Sequence, residues 1–210
     1  MKINFPNQIP IFPLSGVIYF PKTNLPLNIF EKRYLDLVND CVQKDNLMGM
    51  VQSKKSGSEV YKVGCLGKIS DLKKTKDGRI TINLTGITRF QIIKEINNNK
   101  LYREFIVEYS KFEEDLIKEE NEKDKDPELL NLFDKTKNFF DKNGLLLNWL
   151  EFRKLDQEQQ INTLSMIAPI SNVEKQKLLE TVKRKEKINI FSDIIDFYHH
   201  EKNLFKNTIQ

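Results

Sequence analysis

Hydrophobic residues follow two different patterns along this chain, and the change between them divides it into two parts. Up to about residue 112, short apolar runs are separated by proline, glycine and asparagine, and apolar and polar residues alternate from Ile80 to Thr85. Such alternation is typical of a β-strand with one face in a core. Beyond Pro127, apolar residues recur every three or four positions, which predicts amphipathic helices. The chain is therefore predicted to be an α+β protein with its strands first.

Prolines shape the opening of the first part. The segment 9–34, IPIFPLSGVIYFPKTNLPLNIFEKRY, contains four prolines that separate short apolar runs. Proline fixes φ and lacks a backbone donor, so these runs suit edge strands and strand starts. After Phe30 the spacing becomes helical. The predicted buried stripe of this helix contains Tyr34, Leu35, Val38, Cys41 and Val42.

Turn and bend signals organise the rest of the first part. Residues 47–52 are short and apolar, which predicts a buried strand. Asp77-Gly78 predicts a hairpin turn, because glycine adopts positive φ without steric cost. Gly86 interrupts the alternation that follows, which indicates a bulge or a sharp bend. Several short strands, one helix and these bends fit a small curved barrel better than a flat sheet.

The second part is predicted to be a bundle of four or five helices. An acidic stretch, EEDLIKEENEKDKD at 113–126, precedes it and has the composition of a solvated linker. Asp156 with Gln159, and Ser171 with Glu174, have the spacing of capping boxes at two helix starts. The predicted organisation is a β-barrel domain over 1–112, a linker over 113–127 and a helical bundle over 128–207.

Composition and charge narrow the classes of function. The net charge is only +4, from 34 basic and 30 acidic side chains, which gives no strong expectation of nucleic-acid binding. The two cysteines, Cys41 and Cys65, have no metal-ligand spacing and are predicted to be buried free thiols. No apolar run is long enough to span a membrane, and no apolar signal core opens the chain. These features predict a cytoplasmic protein.

Candidate chemistry is sparse. No Gly-x-Ser-x-Gly, His-Glu-x-x-His or Cys–His arrangement occurs, and the carboxylate of Glu31 has no paired acid or nucleophile. For Arg33, a structural pairing with an acid across the barrel is favoured over ligand contact. The adjacent His199 and His200 would point about 100° apart on a helix, so they do not predict a metal site. No catalytic residue, metal or cofactor is expected.

Three further features have a structural and a functional interpretation each. Trp149 is expected to pack at a domain junction, with ligand contact as the alternative. The basic cluster 183–187 is expected to be the solvated end of a helix, with phosphate or nucleic-acid contact as the alternative. The lysines at 73, 74 and 76 have the same two interpretations, and no aromatic residues interleave there to stack on bases.

Several segments resemble one known family. The runs PIFPL, VIYFP and LPLNIFEKRY, followed by VGCLGKI at 63–69, DGR at 77–79 and ITINLTGITRF at 80–90, resemble the Lon protease N-terminal domain in order and spacing. They cover roughly the first half of the chain. Trp149-Leu150-Glu151 and 174–180 are similar to the helical tail of short bacterial proteins with a Lon-type domain. Asn28 departs from the family, which often has histidine there.

The resemblance implies a PUA-like pseudobarrel that recognises substrates for an ATP-dependent protease. The chain contains neither the Gly-x-x-x-x-Gly-Lys-Ser/Thr phosphate loop of an ATPase nor a recognisable serine–lysine proteolytic domain. The expected function is therefore a non-catalytic module that binds unfolded or partly folded polypeptide, as an adaptor for a separate ATP-dependent protease or as a chaperone-like holder.

The alternative is an RNA-binding PUA-like domain, although nucleic acid is not favoured as a partner and no membrane partner is expected. Family resemblance points to the region around the second proline-rich run and the hairpin strand. The predicted peptide-binding residues are Leu25, Leu27, Phe30, Arg33, Tyr34, Arg89 and Phe90.

Overall fold

The chain forms two compact units, Met1–Ile117 and Lys118–Gln210. In the computed structural model, the described residues are 5–54, 59–117 and 127–207. The first unit ends at Ile117 and not at residue 112, so it includes part of the segment that was predicted to be a linker.

The first unit is built from strands with one α-helix and one 3-10 helix in its described residues. The strands are β1 (Gln8–Leu14), β2 (Asn24–Ile29), β3 (Leu47–Gln52), β4 (Val63–Lys74), β5 (Ile80–Ile96) and β6 (Arg103–Glu108). Helix α1 (Lys32–Val42) lies between β2 and β3, and the 3-10 helix Ser110–Leu116 follows β6.

Five of the strands close into a ring. β1 pairs with β3 in parallel and with β6 antiparallel, and antiparallel pairs then link β3 to β4, β4 to β5 and β5 back to β6. β2 lies outside this ring and pairs with the first half of the long strand β5. The arrangement is the small curved barrel that the sequence predicts, and the α+β fold class is confirmed.

Bulges bend the long strand β5, which pairs with β4 and β6 in the ring and also with β2 outside it. Its pairing with β4 shifts where Gly67 faces Gly86, which confirms the irregularity predicted at Gly86. A second shift near Ile93 interrupts its pairing with β6 and leaves that side chain exposed. An extra residue in one strand increases the local twist and bends the strand, and both effects help a sheet to close.

The barrel core is packed so closely that glycine is required at its centre. Phe90 lies among buried aliphatic side chains from the surrounding strands. A Cβ at Gly64 would lie 2.3 Å from the carbonyl oxygen of Met50 and 2.7 Å from the ring of Phe90. Because no real Cβ approaches a carbonyl oxygen so closely, only glycine lets β4 pass over this ring without displacing it.

Helix α1 buries a stripe that differs partly from the predicted one. Its buried side chains are Tyr34, Leu37, Val38 and Cys41, whereas Val42 is exposed. The observed set has the spacing i, i+3, i+4 and i+7 of a single helix face. Val42 is one position beyond that face, so its inclusion in the predicted stripe, and the omission of Leu37, were wrong.

The second unit contains five helices in its described residues. They are α2 (Pro127–Lys142), α3 (Trp149–Phe152), α4 (Gln157–Ile167), α5 (Asn172–Glu180) and α6 (Arg184–Asn207). Both predicted capping boxes are confirmed, at Asp156 for α4 and at Ser171 for α5. Within this unit, the ring of Trp149 packs against those of Phe140 and Phe152.

The basic cluster 183–187 was predicted to lie at the end of a helix, but it lies at the start of α6. Cations are disfavoured at a helix start, and acidic partners from other helices offset this. Lys185 pairs with Glu128, and Lys187 is only 1% exposed, with its Nζ 3.2 Å from Oε1 of Glu158. The interpretation of the whole cluster as solvated was therefore wrong.

The two thiols are buried and free, as predicted. Burial raises the pKa of Cys41 to about 12 and raises that of Cys65 well above its ordinary value. None of the helices formed by described residues is both long and apolar enough to cross a membrane.

Candidate functional site

Three of the predicted binding residues lie close together in the chain and are at least partly accessible to solvent, Leu27 being half-buried and Phe30 and Arg33 exposed. Leu27 lies near the end of β2, Phe30 follows that strand, and Arg33 lies in the first turn of α1. Phe30 is 66% exposed, although it is a large aromatic residue. We call these three residues, together with the outer edge of β2, the Phe30 face.

Two other predicted residues lie beneath this surface. Leu25 and Tyr34 are both buried. The ring of Tyr34 stacks on Phe12 at 4.0 Å between centroids, and the guanidinium carbon of Arg33 lies 4.5 Å from the centroid of the Tyr34 ring. Burial raises the pKa of Tyr34, which keeps its phenol neutral. Arg33 therefore packs on a buried aromatic pair, Tyr34 and Phe12, which we call the aromatic base.

Arg33 has a different partner from the one predicted. Its Nε and Nη2 lie 2.9 and 2.8 Å from Oε2 of Glu31, which is two residues earlier in the chain and not across the barrel. Glu31 is the N-cap of α1, yet its side chain makes no capping hydrogen bond. Since the pair is about half exposed, it orients Arg33 over Tyr34 more than it stabilises the fold.

The outer edge of β2 has an unusual composition for a strand edge. β2 pairs only with β5 among the strands of the described residues. Its solvent-facing positions are Asn24, Pro26 and Asn28, none of which is charged. The hairpin end of β4 instead has a bulge followed by Lys73 and Lys74. Both the bulge and the lysine charges discourage another strand from pairing with that edge. No second strand of the described residues pairs with β2, and Pro26 lacks a backbone donor within it.

The last two predicted residues are in the interior and cannot touch a docked chain directly. Phe90 belongs to the barrel core, and Arg89 is 2% exposed. The Arg89 side chain forms an ion pair with Asp115, with Nη2 2.6 Å from Oδ1, and its backbone N–H donates to Oδ2 at 2.8 Å. We therefore remove Arg89 and Phe90 from the proposed contact residues, because their role is to hold the barrel together.

Asp115 also corrects the predicted start of the linker. Residues 110–116 form a 3-10 helix against β5, in which Phe112 is buried and lies 4.5 Å from the guanidinium carbon of Arg89. The acidic composition of 113–126 concealed this helix. The apolar pair Phe112 and Leu116, four residues apart, was the signal that could have identified it. Residues 118–126 lie outside the described residues.

A cleft of about 320 Å³ lies in the first unit where α1 ends beside the start of β6. Tyr102 donates a hydrogen bond to Asp40, and Lys100 donates to Tyr102 and to Glu104. The bond from Tyr102 holds the pKa of Asp40 below its usual range. Sequence reasoning missed this network, which joins residues 62 positions apart. Its polar groups bind one another, so we assign it a structural role.

In the part of the chain that the structure describes, no three histidine, cysteine or acidic side chains are placed to hold a metal ion. The ring of His199 packs against Phe139, with 5.7 Å between centroids, and its Nδ1 is 3.4 Å from Nζ of Lys142.

Comparisons with known proteins all point to one family. A family model described as the substrate-binding domain of the ATP-dependent protease La (LON) matches residues 8–196. The Lon protease of Syntrophus aciditrophicus is 28% identical over 207 residues, which cover 91% of this chain and 25% of that protein. The Lon protease of Dictyoglomus thermophilum is 23% identical over 226 residues, which cover 99% of this chain and 27% of that protein. The chain spans about a quarter of the length of these relatives.

Two solved structures share the fold. The Lon N-terminal domain protein from Xanthomonas campestris gives a TM-score of 0.61 at 19% identity, covering 87% of this chain and 95% of that one. The N-terminal domain of the Mycobacterium avium complex Lon protease gives 0.62 at 14% identity, covering 90% and 98%. The comparisons do not favour the RNA-binding alternative.

Proposed function

Because the chain belongs to the family of Lon substrate-binding domains, we propose that its first unit binds unfolded or partly folded polypeptide at the Phe30 face. As a domain of this kind it is not itself catalytic. The observation that carries the proposal is the exposure of Phe30, a large aromatic side chain at the end of a strand with an open edge.

Both parts of the Phe30 face suit an extended chain. A peptide that adds to a strand edge gains main-chain hydrogen bonds of any sequence, while alternate side chains contact the neighbouring surface. The uncharged edge of β2 offers the first contribution, and Leu27 and Phe30 offer the second. Main-chain bonding combined with apolar contact suits a binder that must accept many unfolded sequences.

The aromatic base under the Phe30 face supports the same function. Tyr34 is fixed between Phe12 and Arg33, so contacts formed above it need little rearrangement of the barrel. Binding energy in interfaces concentrates on aromatic and arginine side chains, and Phe30 and Arg33 provide one of each. Weak, micromolar affinity is expected, because the bound segment loses conformational entropy when it is ordered.

We propose a wider role that follows from polypeptide capture. The chain would deliver its clients to a separate ATP-dependent protease, or would hold them as a chaperone does. The relatives that are named Lon protease are about four times as long as the matched region, which leaves room in them for further domains.

The test measures binding of a fluorescently labelled, permanently unfolded polypeptide by anisotropy. A fully enclosed aromatic side chain buries about 150–250 Å², so the exposed two thirds of Phe30 correspond to roughly 2–4 kcal/mol at about 25 cal/mol per Å². Since alanine retains part of this surface, Phe30→Ala should weaken binding by at least roughly tenfold. Leu101→Ala is the matched control, because Leu101 is also an exposed apolar residue (59%) of the first unit.

A second experiment tests pairing with the β2 edge by altering the peptide and not the protein. The same peptide, N-methylated at alternate residues, keeps its side chains but loses the donors that would pair with β2. It should bind several-fold more weakly than the unmodified peptide. Equal binding by the two peptides would exclude strand addition, and equal binding by the wild type and Phe30→Ala would exclude the Phe30 face.

A further inference from the structure

The second unit contains a pocket of about 220 Å³ that the proposed function does not use. We call it the aromatic pocket. It is lined by Leu130, Phe133, Asp134, Lys137, Trp149, Phe152, Arg153 and Gln160. Pockets that enclose drug-sized ligands measure about 300–1,000 Å³, so this one has the size for a single side chain and its main chain.

The floor of the aromatic pocket is rigid and apolar. The ring of Phe152 meets the rings of Phe133 and Trp149 edge to face, with 5.4 Å between centroids in each pair. Gln160 Nε2 donates to the carbonyl oxygen of Phe152 at 3.1 Å and fixes the end of α3. Edge-to-face aromatic pairs are a favoured arrangement. The floor is therefore formed before any ligand arrives, and it suits an apolar side chain.

The rim of the aromatic pocket carries an excess of positive charge. Lys137 and Arg153 are exposed, and Asp134 is the single acidic side chain among the lining residues. Across the described ranges, neither cation has an acidic side chain within ion-pair distance, unlike the neighbouring Lys154, which pairs with Glu151. Two cations beside an apolar floor complement a ligand that presents a carboxylate close to an apolar group.

A chain end has this combination of groups on one residue. The last residue of a polypeptide carries its side chain and its free α-carboxylate on the same Cα, whereas an internal residue has a neutral amide there. Arginine and lysine bind carboxylates by charge-assisted hydrogen bonds, and arginine can do so through two parallel bonds.

We propose that the aromatic pocket binds the C-terminal residue of a polypeptide. An apolar side chain enters between Phe133 and Trp149, and the α-carboxylate lies between Lys137 and Arg153. The proposal rests on the proposed function only in that the ligand is a polypeptide, and it concerns a different unit from the Phe30 face.

Trp149 makes the test direct, because it is the only tryptophan of the chain and lines the pocket. Its emission is followed while N-acetyl-Ala-Ala-Leu with a free carboxylate is added to the full chain, and the titration is repeated with the C-terminal amide. The acid should change the emission saturably, and the amide should bind at least about tenfold more weakly, since it cannot form the charge-assisted bonds.

Variants separate the carboxylate contact from the apolar contact. Arg153→Gln should weaken binding of the acid about tenfold and leave binding of the amide unchanged. Lys154→Gln is the matched control, because Lys154 is the adjacent exposed cation and does not line the pocket. It should leave both ligands unaffected. Circular dichroism of both variants checks that the helices are intact.

Three results would overturn the proposal. The first is equal binding of the tripeptide acid and its amide. The second is that N-acetyl-Ala-Leu-Glu-amide, whose only carboxylate is on a side chain, binds as tightly as the tripeptide acid. The third is no change of Trp149 emission at millimolar tripeptide acid. Phe30→Ala should not alter tripeptide binding. The two variants distinguish failure of one proposal from failure of the other. Unchanged capture of the unfolded polypeptide by Phe30→Ala would contradict the proposed function, whereas unchanged binding of the tripeptide acid by Arg153→Gln would contradict the pocket proposal.

Discussion

Replacing Asp115 by alanine should destabilise the first unit more than any surface change in the 3-10 helix Ser110–Leu116. Asp115 accepts hydrogen bonds from the backbone N–H of Arg89 and from its guanidinium, and the two side chains are 3% and 2% exposed. The substitution removes all of these acceptors at once. It leaves a permanently charged guanidinium enclosed by the barrel and by the ring of Phe112.

The size of the effect follows from this burial. Removing one member of a buried ion pair costs about 3–5 kcal/mol, because the remaining charge stays out of water and loses the opposite charge that compensated it. A typical domain has only about 5–15 kcal/mol of total stability, so the variant should be close to unfolding. Glu113→Ala, in the same 3-10 helix but on an exposed residue, should change stability by less than about 0.5 kcal/mol.

Amide hydrogen exchange of β5 is the appropriate assay, because Trp149 fluorescence would report the second unit. Asp115→Ala should lower the opening free energy of the β5 amides by the amount given above. Combining it with Arg89→Met should recover most of the loss, since the buried guanidinium charge is then removed together with the carboxylate that it paired with. A loss below about 1 kcal/mol in Asp115→Ala would refute the reasoning.

Two further predictions concern the barrel unit. Gly64→Ala should lower the opening free energy of the β5 amides by about 1–3 kcal/mol, because its Cβ would lie 2.3 Å from the carbonyl oxygen of Met50. Unchanged exchange would contradict this. Tyr102→Phe should raise the pKa of Asp40 towards its usual value by removing the hydrogen bond that lowers it. A carboxyl group whose pKa is lower in the folded than in the unfolded protein stabilises the fold at pH values above its unfolded pKa. This stabilisation is lost as the pH falls through the folded pKa. The stability advantage of the wild type over Tyr102→Phe should therefore be present at pH 7 and shrink below about pH 4. A carboxyl NMR titration in which the pKa of Asp40 is the same in both proteins would exclude this.

The features that the sequence predicted well depend on neighbouring residues. Gly78 has φ of +86°, as its predicted turn requires, and both capping boxes form between residues three positions apart. The bulge at Gly86 interrupts a visible alternation. In each case the residues that determine the structure lie within a few positions of one another, so no tertiary information is needed.

The features that the sequence did not reveal depend on distant partners. Arg89 was expected on the binding surface, but Asp115, 26 residues further on, holds it in the interior. Lys187 was expected in solvent, but Glu158 and Asn162 from another helix surround its ammonium. A charged residue shows nothing in its local pattern that distinguishes a buried pair from a solvated one. The candidate site was therefore located by family resemblance, and its contact residues were separated from core residues only by the fold.

The seam between β1 and β6 bears on how the first unit is made. Gln8 pairs with Ile106, so the ring cannot close until nearly the whole unit has left the ribosome. Contacts between residues so distant in sequence form slowly, whereas the β4–β5 hairpin forms from neighbouring segments. Until β6 arrives, the early strands expose unpaired edges to every other nascent chain. During its own synthesis, this domain is thus a polypeptide of the kind that it is proposed to bind.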